Sequence, residues 1–147
     1  MGFRKAVTVC IQDYYNFSGR ARRSEYWWFF LFVVAGSVLL SAVDAVIFGK
    51  GMLLGLNGLF AMFTFLPQIA VSWRRMHDTG RPGWFNLLPA IPLVPILSGV
   101  GRAGASIDRS VVFVLIGVFL LLTIMLLVWL IRPSQPGPNR FGPMPPE

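Results

Sequence analysis

The feature that most constrains this chain is an apolar run over residues 111–131, interrupted only by Gly117 and Thr123. A run of this length matches the roughly 20 helical residues that cross the hydrocarbon core of a bilayer. Inside hydrocarbon the backbone must satisfy its own hydrogen bonds, so such a segment is helical. Hydrophobic residues make up 55% of the chain and charged residues 13%, against roughly 45–50% and 25% in soluble domains. The sequence therefore predicts an all-α integral membrane protein.

Further apolar runs predict four transmembrane helices in one membrane domain over residues 1–147. The predicted spans are residues 26–48, 52–72, 84–100 and 111–131. The span over 84–100 is at the short limit and contains three prolines, so it crosses as a bent helix or dips in and returns.

The two termini are predicted to flank this bundle differently. Residues 3–16 carry apolar side chains at three- and four-residue spacings, which predicts a short N-terminal interfacial helix, with a loosely ordered amphipathic tail as the alternative. Residues 132–147 are rich in proline and glycine and predict an extended tail.

Asp44 is an acidic residue inside the first predicted span. An ionisable residue in a span is a candidate for function. Because Asp44 lies about one turn from Lys50, we expect it to reach the far interface or to pair with that lysine, and a functional role is the alternative.

The distribution of Lys and Arg predicts the topology, because cytoplasmic segments of membrane proteins collect positive charge. With four crossings, ten basic residues lie on one side: Arg4, Lys5, Arg20, Arg22, Arg23, Arg74, Arg75, Arg81, Arg132 and Arg140. Lys50, Arg102 and Arg109 lie on the other side. Both termini are then cytoplasmic. A three-crossing arrangement gives the same ratio, so charge does not choose between the two.

Composition excludes several classes of function. The net charge of +7 follows from the positive-inside rule, and no free basic stripe with stacking aromatics indicates nucleic-acid binding. Cys10 is the only cysteine, so no intrachain disulfide and no Cys/His metal site can form. We expect no metal and no cofactor.

Three polar pieces fall on the predicted cytoplasmic side: residues 19–25, 74–83 and 137–142. The segment between Trp73 and Trp84 is expected to be a loop because it carries several charges and ends in turn residues. Guanidinium groups suit phosphate or carboxylate, so anionic lipid headgroups or a protein partner are candidate ligands. The candidate binding residues are Arg20, Arg23, Arg74, Arg75, His77 and Arg140. Glu25, Asp78 and Asn139 are candidate structural partners, and internal pairing of the arginines is the alternative to anion binding.

His77 beside Asp78 suggests an acid–base pair, because imidazole titrates near neutral pH. Adjacent loop residues rarely face each other, and no nucleophile is marked by its spacing, so no catalytic residue is assigned. A lipid-modifying enzyme that uses His77 and Asp78 is an alternative function. An oligomeric channel or transporter is another, because prolines break two of the spans, although the chain shows no internal repeat.

Three blocks resemble the signature of a known family: Phe17-x-Gly-Arg-x-x-Arg-x-Glu-Tyr-Trp27, Arg74-Arg-Met-His-Asp-x-Gly-x-x-Gly-Trp84 and Gly137-x-Asn-Arg-Phe-Gly-Pro143. The chain resembles the DUF805 family of small bacterial inner-membrane proteins over nearly its whole length. Two positions depart from the family pattern: Pro82 replaces a common serine, and Met144 replaces a common acidic residue.

The resemblance implies a four-span bacterial inner-membrane protein whose family has no assigned function. It also implies that the candidate residues of the three blocks meet in space. The expected function is therefore that of a small membrane component, non-enzymatic rather than catalytic. Its expected partners are membrane lipids, anionic ones included, and a protein partner or further copies of the chain.

Overall fold

A computed structural model describes residues 1–49, 55–100 and 108–145 of the chain. Its helices are α1 Phe3–Gln12, α2 Arg23–Ile47, α3 Leu56–Asp78, a 3-10 helix Gly83–Ala90, α4 Leu93–Val100 and α5 Arg109–Ile131. Among these described residues the only β feature is an isolated bridge between Asn139 and Gly142. The predicted all-α class is confirmed.

Three described helices, α2, α3 and α5, are long and apolar enough to cross a membrane. The predicted span over 84–100 is divided instead into the 3-10 helix, a turn at residues 91–92 and the eight-residue α4. Proline lacks a backbone donor and its ring clashes with the preceding turn. Pro89, Pro92 and Pro95 therefore account for the break.

Helices α2, α3 and α5 are joined at one end of the molecule. The backbone N–H of Ala21, just before α2, donates to the carbonyl of Arg74 near the end of α3 over 3.1 Å. Arg75 Nε donates to the carbonyl of Leu130, near the end of α5, over 3.1 Å. The start of α2 and the ends of α3 and α5 therefore meet. We call the residues gathered there, 16–25, 73–84 and 132–145, the polar cap.

At the opposite end, Asp44 caps α3. Its two carboxylate oxygens accept the backbone N–H groups of Leu56 and Asn57, each over 2.8 Å. These are donors that the first turn of a helix leaves without a partner. The expected pairing with Lys50 lies outside the described residues.

Among the C-terminal ends of the helices, those of α1 and α3 differ most from the predicted boundaries. α1 ends at Gln12 rather than near residue 16, and residues 13–15 form a turn. α3 continues past the predicted span limit at residue 72 and ends at Asp78. The described part of the tail contains no helix, as predicted.

The hydrophobic core lies directly beneath the polar cap. Its buried members come from α1, from α2 and the segment before it, and from α3 and α5: Cys10, Ala21, Tyr26, Phe29, Val71, Met76 and Leu130. Further from the cap, α2 and α3 approach closely where Gly36 faces Phe60. α1 packs against the bundle through Ala6 and Cys10, which are fully buried.

A polar cap as the candidate binding site

The end of α3 supplies the central residues of the cap. The expectation of a loop from Trp73 onward is wrong for residues 73–78, which are helical. The helix ends where the N–H of Gly80 bonds the carbonyl of His77 and the N–H of Arg81 bonds that of Met76. This is the Schellman arrangement, in which a glycine adopts a positive φ, here +76°. The charged residues of this segment predicted a loop. The segment is helical instead, because its charged side chains are paired.

Asp78 joins two buried arginines. Its Oδ1 accepts from Arg20 Nε over 2.9 Å, and its Oδ2 accepts from Arg75 Nη1 one helical turn earlier. All three side chains are fully buried. A buried carboxylate is stable only when its charge is compensated and its lone pairs are satisfied. Asp78 meets both conditions within the chain.

The remaining donors of Arg20 and Arg75 hold the carboxyl end of α5 and the tail. Arg75 donates to the carbonyls of Leu130 and Arg132. Arg20 donates to the carbonyls of Gln135 and Gly137, each over 2.6 Å. These two arginines therefore bind the protein's own backbone in the way that was expected for an external anion.

Arg74 forms a second, separate ion-pair group. Its Nη1 donates to Asp13 Oδ2, just after α1, over 2.9 Å. Its Nη2 lies 3.0 Å from Glu25 Oε1, and neither of these two atoms is aligned for a hydrogen bond with any described residue. Arg74 therefore connects the end of α1 and the start of α2 to α3.

His77 is stacked and hydrogen-bonded rather than paired with Asp78. Its ring lies parallel to that of Phe141 at a centroid distance of 3.9 Å. Its Nδ1 is 3.1 Å from the carbonyl oxygen of Gly19, so this nitrogen must carry the proton. Asn139 Nδ2 donates to the carbonyl of His77 over 2.9 Å. The imidazole thus joins the first and third polar pieces.

Arg23 and Arg140 are the two candidate binding arginines that remain exposed. Arg140 lies over the outer face of Phe141, with its guanidinium carbon 4.6 Å from the ring centroid. Neither arginine forms a hydrogen bond or ion pair with another described residue. The candidate set is therefore divided into a buried group and an exposed pair.

Comparison with known proteins identifies the family. A family described as a protein of unknown function, DUF805, matches residues 14–143. The chain belongs to the DUF805 family. The inner membrane protein YhaH of Escherichia coli K12 is 31% identical over 140 residues, which are 92% of this chain and 91% of YhaH. The inner membrane protein YhaI of the same strain is 38% identical over 85 residues, which are 57% of this chain and 70% of YhaI.

No solved structure matches this DUF805 chain at a significant level. The names of the two relatives, together with the three helices long enough to span, support a location in the bacterial inner membrane. The family resemblance carried by the three sequence blocks is confirmed.

The DUF805 blocks meet in the cap through residues that were not among the predicted site residues. Gln135 donates its N–H to the carbonyl of Asp78 over 3.0 Å and accepts from Arg20. Asp13 binds Arg74, and Phe141 stacks on His77. Backbone carbonyls carry no residue-type signal, so these acceptors were not predictable. Asp13 could have been found as the carboxylate that follows α1.

The thiol of Cys10 is unreactive at neutral pH. Burial raises the pKa of its thiol to about 12, and the nearby charge of Glu25 contributes to the rise. The thiolate is the reactive form of cysteine. At neutral pH the folded chain therefore offers no nucleophile at this position.

Proposed function

We propose that this DUF805 chain is a small, non-enzymatic component of the bacterial inner membrane that binds anionic lipid headgroups through the basic outer surface of its cap. In this proposal the cap and both termini face the cytoplasm. The single observation that supports it is the way charge is divided between the inside and the outside of the cap.

The described carboxylates at the cap end all pair with arginines of the chain itself. Asp78 lies between Arg20 and Arg75, while Glu25 and Asp13 lie against Arg74. The exposed charged side chains among the described residues at this end are then all basic: Arg4, Lys5, Arg23, Arg132 and Arg140. A surface of this kind attracts anionic lipid by about 1 kcal/mol per basic residue close to the headgroups.

The proposal includes a fourth crossing by the segment between α3 and α5. Both helices end at the cap, and α5 is 23 residues long, which corresponds to about 34 Å of helix. The chain must therefore travel from the cap to the far end before α5 begins. The 3-10 helix and α4 would belong to this return path, which supports a proposed topology of four crossings with the ten basic residues on one side.

The surroundings of His77 and Asp78 support the proposed non-enzymatic role over the alternative of a lipid-modifying enzyme. A catalytic base must reach the proton that it removes. The Asp78 carboxylate is occupied by two arginines, and one face of the His77 ring is covered by Phe141. These contacts favour a structural role for His77 and Asp78 over a catalytic acid–base pair.

Lipid retention tests the proposal. The purified chain would be placed in nanodiscs of phosphatidylcholine with a minor share of phosphatidylglycerol, and the phosphatidylglycerol held per protein would be measured. We expect enrichment in the wild-type chain, a several-fold loss for the Arg23→Gln/Arg140→Gln double variant, and little change for Arg109→Gln at the far end. Equal retention by all three proteins would reject the proposal.

A further inference from the structure

A cavity of about 400 Å³ opens beside the start of α2, on the outer surface of the cap. It is lined by Arg22, Arg23, Ser24, Pro133, Ser134 and Met144. Its volume is within the roughly 300–1,000 Å³ of small-molecule sites. Assigning a ligand to this cavity rests on the proposed function. The assignment would locate the point on the basic surface where a lipid headgroup binds.

Three polar groups of this cavity have no hydrogen-bond partner within the described chain: the guanidinium of Arg23 and the hydroxyls of Ser24 and Ser134. Arg22 is engaged differently, since its Nε and Nη2 donate to the carbonyl of Pro145 over 3.1 and 2.6 Å. Arg22 therefore holds the tail in place on one side of the cavity. None of the described residues that line the cavity is acidic, so their net charge is positive.

This set of donors matches the oxygens of a phosphoryl group. A guanidinium presents a planar fork of N–H groups that binds two oxygens together. Serine hydroxyls can donate to the remaining oxygens or accept from a headgroup hydroxyl. We propose that the cavity binds a phosphoryl group, with Arg23 as the main contact and the two serines as orienting donors. Pro133 and Met144 form an apolar wall beside which the glycerol portion of a phospholipid fits.

The neighbouring parts of the cap are less suited to this ligand. A second cavity of about 360 Å³, between α1 and the tail, includes the carboxylate of Glu25 among its lining groups. Arg140 is exposed but lies over the ring of Phe141 and lines neither cavity. Arg140 is therefore the matched control for Arg23: both are exposed arginines at the same end of the molecule, and only one lies in the cavity.

Substitutions that keep the positive charge distinguish a specific phosphoryl-binding site from a diffuse basic surface. A diffuse surface needs only positive charge, so Arg23→Lys and Arg140→Lys would both retain lipid. A phosphoryl site needs the fork, so we expect Arg23→Lys to weaken phosphatidylglycerol binding several-fold and Arg23→Gln to weaken it about ten-fold. Ser134→Ala should weaken binding about two- to five-fold. Both Arg140 variants should change it less than about two-fold.

The experiment is titration of phosphatidylglycerol into the full chain in neutral nanodiscs, with inorganic phosphate as a second probe. Competition by inorganic phosphate at concentrations comparable to the lipid would assign the site to the free ion, and failure to compete would assign it to the lipid headgroup. Either result supports a phosphoryl site when Arg23→Lys has the expected effect.

Equal effects of Arg23→Lys and Arg140→Lys, or none from either, would overturn the cavity assignment. Phosphatidylglycerol preference would then persist on a diffuse surface, and the proposed function would survive. Loss of all preference for phosphatidylglycerol over phosphatidylcholine in the wild-type chain would instead reject the proposed function itself. Unfolding midpoints of the variants equal to that of the wild type confirm that the exposed substitutions leave the fold intact.

Discussion

The polar cap and the apolar bodies of the helices place their side chains in opposite ways. In the cap, Arg75 and Asp78 are 0% exposed, whereas Val38 of α2 and Leu121 of α5 are each 67% exposed. Charged side chains are buried in the cap, whereas apolar side chains are exposed along the bodies of the helices. In a bilayer this is favourable, because lipid tails solvate the apolar side chains and no water drives the helices together.

The difference indicates which part of the chain determines the packing of the helices. Apolar residues that face lipid need only be apolar and helical, so many sequences serve there. The cap needs a particular donor opposite a particular acceptor at each position, because an unpaired buried charge is costly. We therefore expect substitutions to be severe in the cap and mild along the exposed faces of α2 and α5.

The largest effect is expected for Asp78→Asn. The change removes the counter-charge of Arg20 and Arg75, which are both buried, and breaking a buried pair costs about 3–5 kcal/mol. The free energy of unfolding in detergent micelles, followed by tryptophan fluorescence, would measure it. Asp108→Asn is the control, because Asp108 is an exposed helix cap at the far end and asparagine caps a helix about as well. Similar losses for both variants would contradict the contrast between the two regions.

A smaller effect is expected for Gly83→Ala. A Cβ at Gly83 would lie 2.1 Å from Cδ1 and Nε1 of Trp73, so the indole ring must move. Forcing extra volume into a packed site costs about 1–3 kcal/mol. Gly117→Ala in α5 is the matched control, since a Cβ there meets nothing within 4 Å, and because alanine is the better helix former it should be neutral or stabilise by up to about 1 kcal/mol. If the two alanine variants unfold at the same denaturant concentration, the cap is not tightly packed at Gly83.

A still smaller effect is expected at the far end from Asp44→Ala. The change removes two acceptors from the first turn of α3, and loss of a helix cap costs about 1 kcal/mol. Asp44→Asn keeps one acceptor and should retain part of this stability. The same unfolding assay compares them. If Asp44→Ala lowered the free energy of unfolding as much as Asp78→Asn does, the two ends of the bundle would tolerate substitution equally poorly, against the contrast expected between the cap and the rest of the bundle.

The last effect concerns Cys10 and appears only at alkaline pH. Folding raises the pKa of this thiol to about 12 from its ordinary value of 9.0, so the folded state holds the proton more tightly. The contribution is complete below pH 9 and is lost as the pH rises from 9 toward 12, by at most about 1.4 kcal/mol per pH unit. The wild type and Cys10→Ala should therefore differ by a constant amount of stability at neutral pH. Their difference should shrink above pH 9, and a difference that stays constant well above that pH would contradict the burial of the thiol.

Much of the fold was predictable from hydropathy. The apolar runs that became α2, α3 and α5 were found because a bilayer demands long apolar helices. The broken segment from Gly83 to Val100 was harder, since three prolines fit a bent helix or a re-entrant turn equally well. The helical course of Trp73–Asp78 was missed because charge was taken to indicate a loop, although Arg75 and Asp78 are one turn apart and can pair on a helix.

The structure brings the candidate residues together at one end of the molecule, but the sequence did not predict which of them are buried and which are exposed. The sequence blocks brought together Arg20, Arg75 and Asp78 as members of one group. Which arginines are buried depended on backbone carbonyls of Leu130, Gln135 and Gly137, whose positions follow from the path of the tail. That path is a tertiary property, so sequence could not separate Arg75 from Arg23.

The most direct test of this division is a paired measurement on Arg75→Gln and Arg23→Gln in the same nanodiscs, recording both unfolding stability and phosphatidylglycerol held per folded protein. We predict that Arg75→Gln lowers stability by about 3 kcal/mol and leaves lipid retention by the folded fraction unchanged. We predict the reverse for Arg23→Gln, with full stability and reduced retention. An Arg75→Gln variant that keeps its stability but loses the lipid would contradict the division of the cap into a buried structural group and an exposed binding group.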